Sequence, residues 1–350
     1  MQDMTSCGCA RWRMQLHDRV FVAGHRGLVG SAIVRRLAAD GFSNLILRTR
    51  ESLDLRDRGA VDRFFAATRP QFVFLAAATV GGIHANDSRG GEFIRDNLLI
   101  QTHVIDAAHR FGASKLLFLG SSCIYPRSAE QPIREESLLT GPLEPTNAPY
   151  AVAKIAGIQM CQAYRRQYGF DAICAMPANL YGPGDNFDLE QSHVLPALIR
   201  KFHDAREAGA ASVTLWGTGE PRREFLHVDD LADAAVMLLR EYSDERIVNV
   251  GTGEEVRIRD LAAMIAEVVG YRGEIAFDRG RPDGVPRKVL DISRITGLGW
   301  KARIGLMDGL RRTHAWYCDA RTNGGLVRGL PAAEFVPTRG DDSHALNDGY

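Results

Sequence analysis

Arg19-Val-Phe-Val-Ala-Gly24-His-Arg-Gly27-Leu-Val-Gly30 decides the fold. Four apolar residues run into three glycines, each three positions after the last, and residues 28–39 follow with helical periodicity. A glycine turn between a strand and a helix lets backbone approach a pyrophosphate. The helix start then offers free N–H groups to the negative charge. Gly24, Gly27 and Gly30, with the amides of Leu28 and Val29, are the expected dinucleotide cradle.

The same alternation continues downstream. Strands are expected at 44–48, 72–76, 115–119, 172–176 and 247–250, and helices at 58–67, 93–111 and 150–168. Connections of this length do not make hairpins, so the pattern predicts an α/β, doubly wound, Rossmann-like parallel sheet. Residues 177–188, rich in Pro, Gly and Asn, read as a loop, followed by a helix at 194–208, a strand at 212–216 and a helix at 229–240. The expected organisation is a leader at 1–18 without order and a dinucleotide-binding domain of 19–178 with 225–250. A smaller, discontinuous substrate domain of 179–224 with 251–320 follows, then a mobile tail at 321–350. The sequence contains no internal repeats.

Bulk properties narrow the function. The chain has 350 residues, 45% hydrophobic and 25% charged, with zero formal net charge. No basic excess points to nucleic acid or an anionic membrane. The apolar run from Phe72 to Val80 is too short to cross a bilayer, and the start of the chain has no apolar signal core, so the expected compartment is cytoplasmic. Cys161 and Cys174 lie in apolar stretches and read as small core residues. Cys7-Gly-Cys9 lacks a second pair and is a weak metal signal.

The end of the second strand selects the cofactor. An acid there would hold the ribose 2′-OH of NAD; this chain has Arg48-Thr49-Arg50. Arg50, with Arg26 in the glycine turn, can pair with a 2′-phosphate, so NADP(H) is expected. Asp54 or Asp57 is a candidate for the adenine side.

Tyr150 and Lys154 are four residues apart on a helix and share a face. An ammonium there is expected to favour tyrosinate. Ser121 and Cys123 follow the fourth strand; extended backbone would put both on one face and Ser122 on the other. Tyr-x-x-x-Lys alone is common, but with a strand-end Ser and a dinucleotide turn it points to redox chemistry at a carbonyl or alcohol.

These residues resemble the extended short-chain dehydrogenase/reductase family, and within it the GDP-L-fucose synthase branch. The matching segments are Gly24–Gly30, Gly120-Ser-Ser-Cys-Ile-Tyr-Pro126, residues 144–157, Asn179-Leu-Tyr-Gly-Pro183, Arg223-Glu-Phe-Leu-His-Val-Asp-Asp230 and Pro282-Asp-Gly-Val-Pro-Arg-Lys288. The resemblance implies an NADPH-dependent enzyme with two tasks at one site: 3,5-epimerisation of GDP-4-keto-6-deoxy-D-mannose, then reduction of its C4 ketone to give GDP-L-fucose. It implies Ser121, Tyr150 and Lys154 in the reduction, and Cys123 and His193 as acid/base groups of the epimerisation. It also implies cofactor contacts from Leu119, Ser122, Lys154, Pro177, Asn179, Leu180 and His193. Lys201, Trp216, Arg223, Asp283 and Lys288 are implied around the GDP-sugar, although arginine is usual at the Lys201 position. His227 and Asp229 are expected to set a loop and helix start. A homodimer through the Tyr150 helix is the assembly the family implies.

Three rivals remain. A 4,6-dehydratase would carry an acidic pair after the strand-end Ser, where this chain has Cys-Ile-Tyr-Pro. A 4-epimerase would hold NAD through an acid near position 50. A non-catalytic NADP sensor would not need both Tyr150 and Lys154.

Overall fold

The computed structural model describes residues 14–280, 283–323 and 327–330. The Cys7/Cys9 pair, Pro282 and most of the expected leader and tail lie outside the described residues. Met14 is buried against the first core, and Asp18 N–H donates to the Gln15 carbonyl in a turn.

The first half alternates strand and helix: β1 (Val20–Ala23), α1 (Leu28–Ala39), β2 (Leu45–Ile46), α2 (Arg58–Thr68), β3 (Phe72–Leu75), α3 (Ile83–Ser88), α4 (Gly90–Arg110), β4 (Lys115–Leu119), α5 (Ala148–Tyr168) and β5 (Asp171–Pro177). The second half has shorter pieces: β6 (Asn179–Tyr181), α6 (Val194–Glu207), β7 (Ser212–Trp216), β8 (Arg222–Arg223), β9 (Phe225–His227), α7 (Val228–Glu241), β10 (Val248–Val250), β11 (Val256–Arg257), α8 (Ile258–Val269), β12 (Glu274–Asp278), β13 (Arg287–Lys288), α9 (Ser293–Gly297) and α10 (Leu306–Thr322).

The main sheet runs β10-β5-β4-β3-β1-β2, with every pairing parallel. Every residue of β1, β3 and β4 is buried, as a sheet covered by helices on both faces requires. The chain builds outward from β1 to β2 and then reverses to β3. That reversal opens a crevice beyond the carboxyl ends of β1 and β3. The doubly wound, Rossmann-like architecture read from the sequence is the one observed.

Two hydrophobic cores form. The first lies on both faces of the main sheet and includes Phe21, Phe65, Phe74 and Phe118. The second gathers Phe202, Leu215, Leu261 and Tyr317 from α6, α8, α10 and the two-stranded sheet β7-β12, with Phe187 from the loop before α6. Two further small sheets lie outside the main one: β11-β8-β13, and β6 paired with β9. The stretch 177–188, read as irregular from its glycines and prolines, therefore begins with a strand. Among the described residues no helix is long and apolar enough to cross a membrane.

Candidate active site

The glycine turn is built for close approach. Gly24 adopts φ +83, and a Cβ there would lie 2.8 Å from Ala77 at the end of β3. A Cβ on Gly30 would lie 2.1 Å from the Gly24 carbonyl oxygen. Both positions need glycine, whereas Gly27 has φ −78 and its Cβ would meet the same oxygen at 3.3 Å. Gly27 N-caps α1 without a side-chain cap, so the helix start faces the crevice with backbone alone. This cradle and the donor set fit a pyridine dinucleotide. Arg26 and Arg50 are exposed and share one patch, since both charges act on Glu51. Glu51 is turned onto its own backbone and Thr49, which hold its carboxyl below the usual range. Asp57 caps α2 through the Ala60 N–H, and Asp54 is bound by Arg56, which drops its pKa to about 2.

At the end of β4 the chain turns sharply. Ser121 is extended and its hydroxyl accepts the Cys123 N–H at 3.2 Å. Residues Ser122–Ile124 form a 3-10 turn rather than the extended backbone expected, so the alternation of faces does not apply. Instead the turn buries Ser122 and keeps Cys123 half-buried. The Ser121 hydroxyl and the Cys123 sulfur both act on the Tyr150 phenol.

The helix α5 carries Tyr150 and Lys154 to the same place. Gly157 makes this possible: a Cβ there would lie 2.5 Å from the buried Phe118 ring of β4. The Gln101 side-chain amide donates to the Ala153 carbonyl at 2.6 Å and clamps α5 to α4. The Lys154 ammonium donates to the Leu119 carbonyl at 2.8 Å and sits 5.8 Å from the Tyr150 ring centroid. Burial lowers the Lys154 pKa from 10.5 to about 8. Tyr150 keeps some water contact, but protein surrounds it. That desolvation pushes its pKa well above the usual value, with Cys123 adding and Ser121 opposing. The expected drop towards tyrosinate is therefore not found. Desolvation is the largest influence on the phenol and no counter-charge offsets it, so Tyr150 stands as a neutral proton donor.

From the other side, β13 pairs with β8 so that Lys288 lies opposite Arg223 and Arg287 opposite Arg222. Period two sorts these four cations. Arg222 and Arg287 both bind Glu255, at 3.4 and 2.6 Å. Lys288 reaches the opposite way and places Nζ 3.9 Å from the Cys123 sulfur. Its charge also reaches His193, the N-cap residue of α6. His193 is open to water at the cleft, yet crowding by protein, with Lys288 second, holds its pKa below the usual value. The Gly82 N–H donates to Gln191 at 2.8 Å and ties this corner to the loop after β3.

The remaining residues extend outward. Asn179 in β6 donates to the Glu224 carbonyl at 2.8 Å, and Leu180 and Pro177 flank it. The Lys201 ammonium donates to the Thr214 carbonyl of β7 at 3.3 Å, and Trp216 at the end of β7 is 68% exposed. Asp283 accepts from Thr218 N–H at 2.9 Å and from its hydroxyl at 2.6 Å. Asp283 is thus a latch between the β7 turn and the Lys288 segment. His227 accepts the Asp229 N–H through its ring nitrogen, so the histidine and not Asp229 caps α7. Sequence reasoning gave no role to Gly157, the Thr218 latch or Glu224, whose buried carboxylate accepts the N–H groups of Thr252, Gly253 and Leu290. A lone glutamate beside Arg223 carries no signal for that.

The model of the family described as "NAD dependent epimerase/dehydratase family" matches residues 20–251. The chain belongs to this family. It is 59% identical to GDP-L-fucose synthase 1 of Arabidopsis thaliana over 299 residues, covering 85% of this chain and 93% of that one. A GDP-6-OMe-4-keto-L-xylo-heptose reductase from C. jejuni has a similar structure, with TM-score 0.83 and 38% identity over 88% of this chain and 99% of that one. A GDP-L-fucose synthetase from Naegleria fowleri bound to NADP gives TM-score 0.82 and 26% identity over 88% and 96%. Membership in the family accounts for the parallel sheet, the glycine turn and the Tyr/Lys helix together.

Proposed function

We propose that this chain converts GDP-4-keto-6-deoxy-D-mannose to GDP-L-fucose with NADPH, epimerising C3 and C5 and then reducing C4. The observation that carries the reading is the meeting of two sets of groups. Ser121, Tyr150 and Lys154 are the set a C4 ketone reduction needs. Beside them, Cys123 and His193 are two acid/base groups that a plain reductase has no use for, joined by the Lys288 charge. The high identity to curated GDP-L-fucose synthases supports the substrate.

NADPH, when bound, supplies the hydride. The backbone of Gly24–Gly30 and the start of α1 hold its pyrophosphate, and Arg26 and Arg50 pair with the 2′-phosphate. Lys154 fixes the nicotinamide ribose, with Leu119, Ser122, Pro177, Asn179 and Leu180 lining that end. Ser121 and Tyr150 donate hydrogen bonds to the substrate O4. Protons on C3 and C5 are acidic because each carbon adjoins the C4 ketone. One of Cys123 and His193 removes the proton while Ser121 and Tyr150 stabilise the enolate oxygen, and the other returns a proton on the opposite face. Lys288 places its ammonium 3.9 Å from the Cys123 sulfur. In the second step Tyr150 gives its phenolic proton to O4. Arg223 and Lys201 meet the diphosphate, and Trp216 packs near the nucleotide.

A reductase without epimerase activity is the second reading, favoured by the likeness to the C. jejuni heptose reductase. Purified protein incubated with GDP-4-keto-6-deoxy-D-mannose and NADPH, with products identified by NMR, separates the two. GDP-L-fucose is expected; a 4-hydroxy sugar of unchanged C3 and C5 configuration supports the second reading. The proposal includes a cytoplasmic homodimer joined through α5, whose Val152 and Tyr168 are exposed. Sedimentation equilibrium should give twice the mass of one 38.6 kDa chain, and cell fractionation reads the compartment.

A further inference from the structure

The second core carries a cluster that this chemistry leaves unused. His203 lies on α6, and His314 and Cys318 lie four residues apart on one face of α10. His203 Nδ1 is 3.3 Å from His314 Nε2, and the Cys318 sulfur is 3.4 Å from His314 Nε2 and 3.9 Å from His203 Nδ1. Among the described residues this is the group of His, Cys, Asp and Glu side chains whose donor atoms converge within 4.8 Å of one another. A tetrahedral zinc ion, with Zn–N about 2.0–2.1 Å and Zn–S about 2.3 Å, has donor-to-donor edges of roughly 3.3–3.6 Å. The observed triangle has nearly those edges. Two imidazole nitrogens and a thiol are also the ligand chemistry that zinc and its late first-row neighbours take.

The surroundings tolerate a cation. Arg206 and Arg321 are the nearest positive charges, and each is matched: Arg206 by Glu207 at 2.6 Å and Arg321 by Asp204 at 3.1 Å. His203 is buried and its ring packs on Tyr317 at 5.2 Å, which fixes one ligand in place.

We propose that His203, His314 and Cys318 form a zinc-class divalent metal site, with water in the fourth position. Both histidines bind neutral, and Cys318 binds as thiolate, releasing one proton to solvent per metal ion. The metal cross-links α6, which starts beside His193, to α10.

The test is titration of chelator-treated full-length protein with cobalt(II), in a Cys7→Ser/Cys9→Ser background that removes the other cysteine pair. One equivalent should bind with a thiolate-to-cobalt charge-transfer band and tetrahedral d–d bands. The band should vanish in Cys318→Ser and persist in Cys123→Ser. Zinc affinity, read against a chromophoric chelator, should fall at least 100-fold in Cys318→Ser and in His314→Gln; the second variant decides the matter where the first does not fold. No binding, an octahedral spectrum, or a band retained in Cys318→Ser overturns the site.

Discussion

Burial displaces Tyr150 and Lys154 in opposite senses, and each displacement has a consequence. A phenol held protonated suits a group that must give a proton to O4. Tyr150→Phe should therefore lower kcat for ketone reduction by roughly 10²–10⁴-fold while the fold melts near the wild-type temperature; a variant that keeps its rate would remove Tyr150 from the mechanism. For Lys154 the folded pKa is lowered from 10.5 to about 8, so the unfolded chain binds more protons between those values. Stability from this group rises with pH through that window, and the full penalty is present below it. Lys154→Met should raise stability at neutral pH by up to about 3 kcal/mol, with the gain closing as pH climbs to the unfolded value. Denaturant melts at several pH values check this. Arg26→Ala and Arg50→Ala should each weaken NADPH about tenfold and leave NADH almost unchanged, as loss of one phosphate contact predicts. Cofactor titration by fluorescence reads the difference. That Tyr150, Lys154 and Ser121 meet, and that Arg26 and Arg50 share a patch, was legible from spacing and residue type. The direction of the Tyr150 shift was not, since desolvation depends on what packs around α5.

At the scale of elements, the position of α5 depends on one missing side chain. Gly157 leaves no room for a Cβ beside Phe118. Gly157→Val should push α5 off β4, cutting activity strongly and costing on the order of 1–3 kcal/mol by overpacking; a fully active, equally stable variant would show that α5 does not need this close approach. The turn before α1 makes a similar distinction. Gly30→Ala should abolish NADPH binding, because its Cβ would sit on the Gly24 carbonyl, whereas Gly27→Ala should fold normally and only weaken it. Long periodic elements were readable: α1, β4 and β7 have the bounds their patterns predict. The strands β6, β8, β9, β11 and β13 were not, because two or three residues contain too little alternation to register. Yet β8 and β13 position Arg223 and Lys288. The turn at Ser122–Ile124 was missed for a related reason: a Ser side chain capping its own neighbour's amide competes with extension, and composition does not reveal which wins.

Across the whole molecule, the site joins groups that sequence keeps far apart. Cys123 follows β4 of the main sheet and Lys288 lies 165 residues later, in the small sheet β11-β8-β13. Family resemblance implied Cys123 and His193 as a pair and put Lys288 at the GDP-sugar, and no local pattern ties the three together. Their convergence is the structural argument for two reactions in one cleft, and solvent deuterium tests it most directly. Wild type and Cys123→Ser should be compared by NMR on GDP-4-keto-6-deoxy-D-mannose in deuterated water, first without and then with NADPH. The account predicts deuterium at both C3 and C5 for wild type, and loss of exchange in a variant that still oxidises NADPH. A wild type that reduces the ketone with no deuterium at either carbon would contradict it.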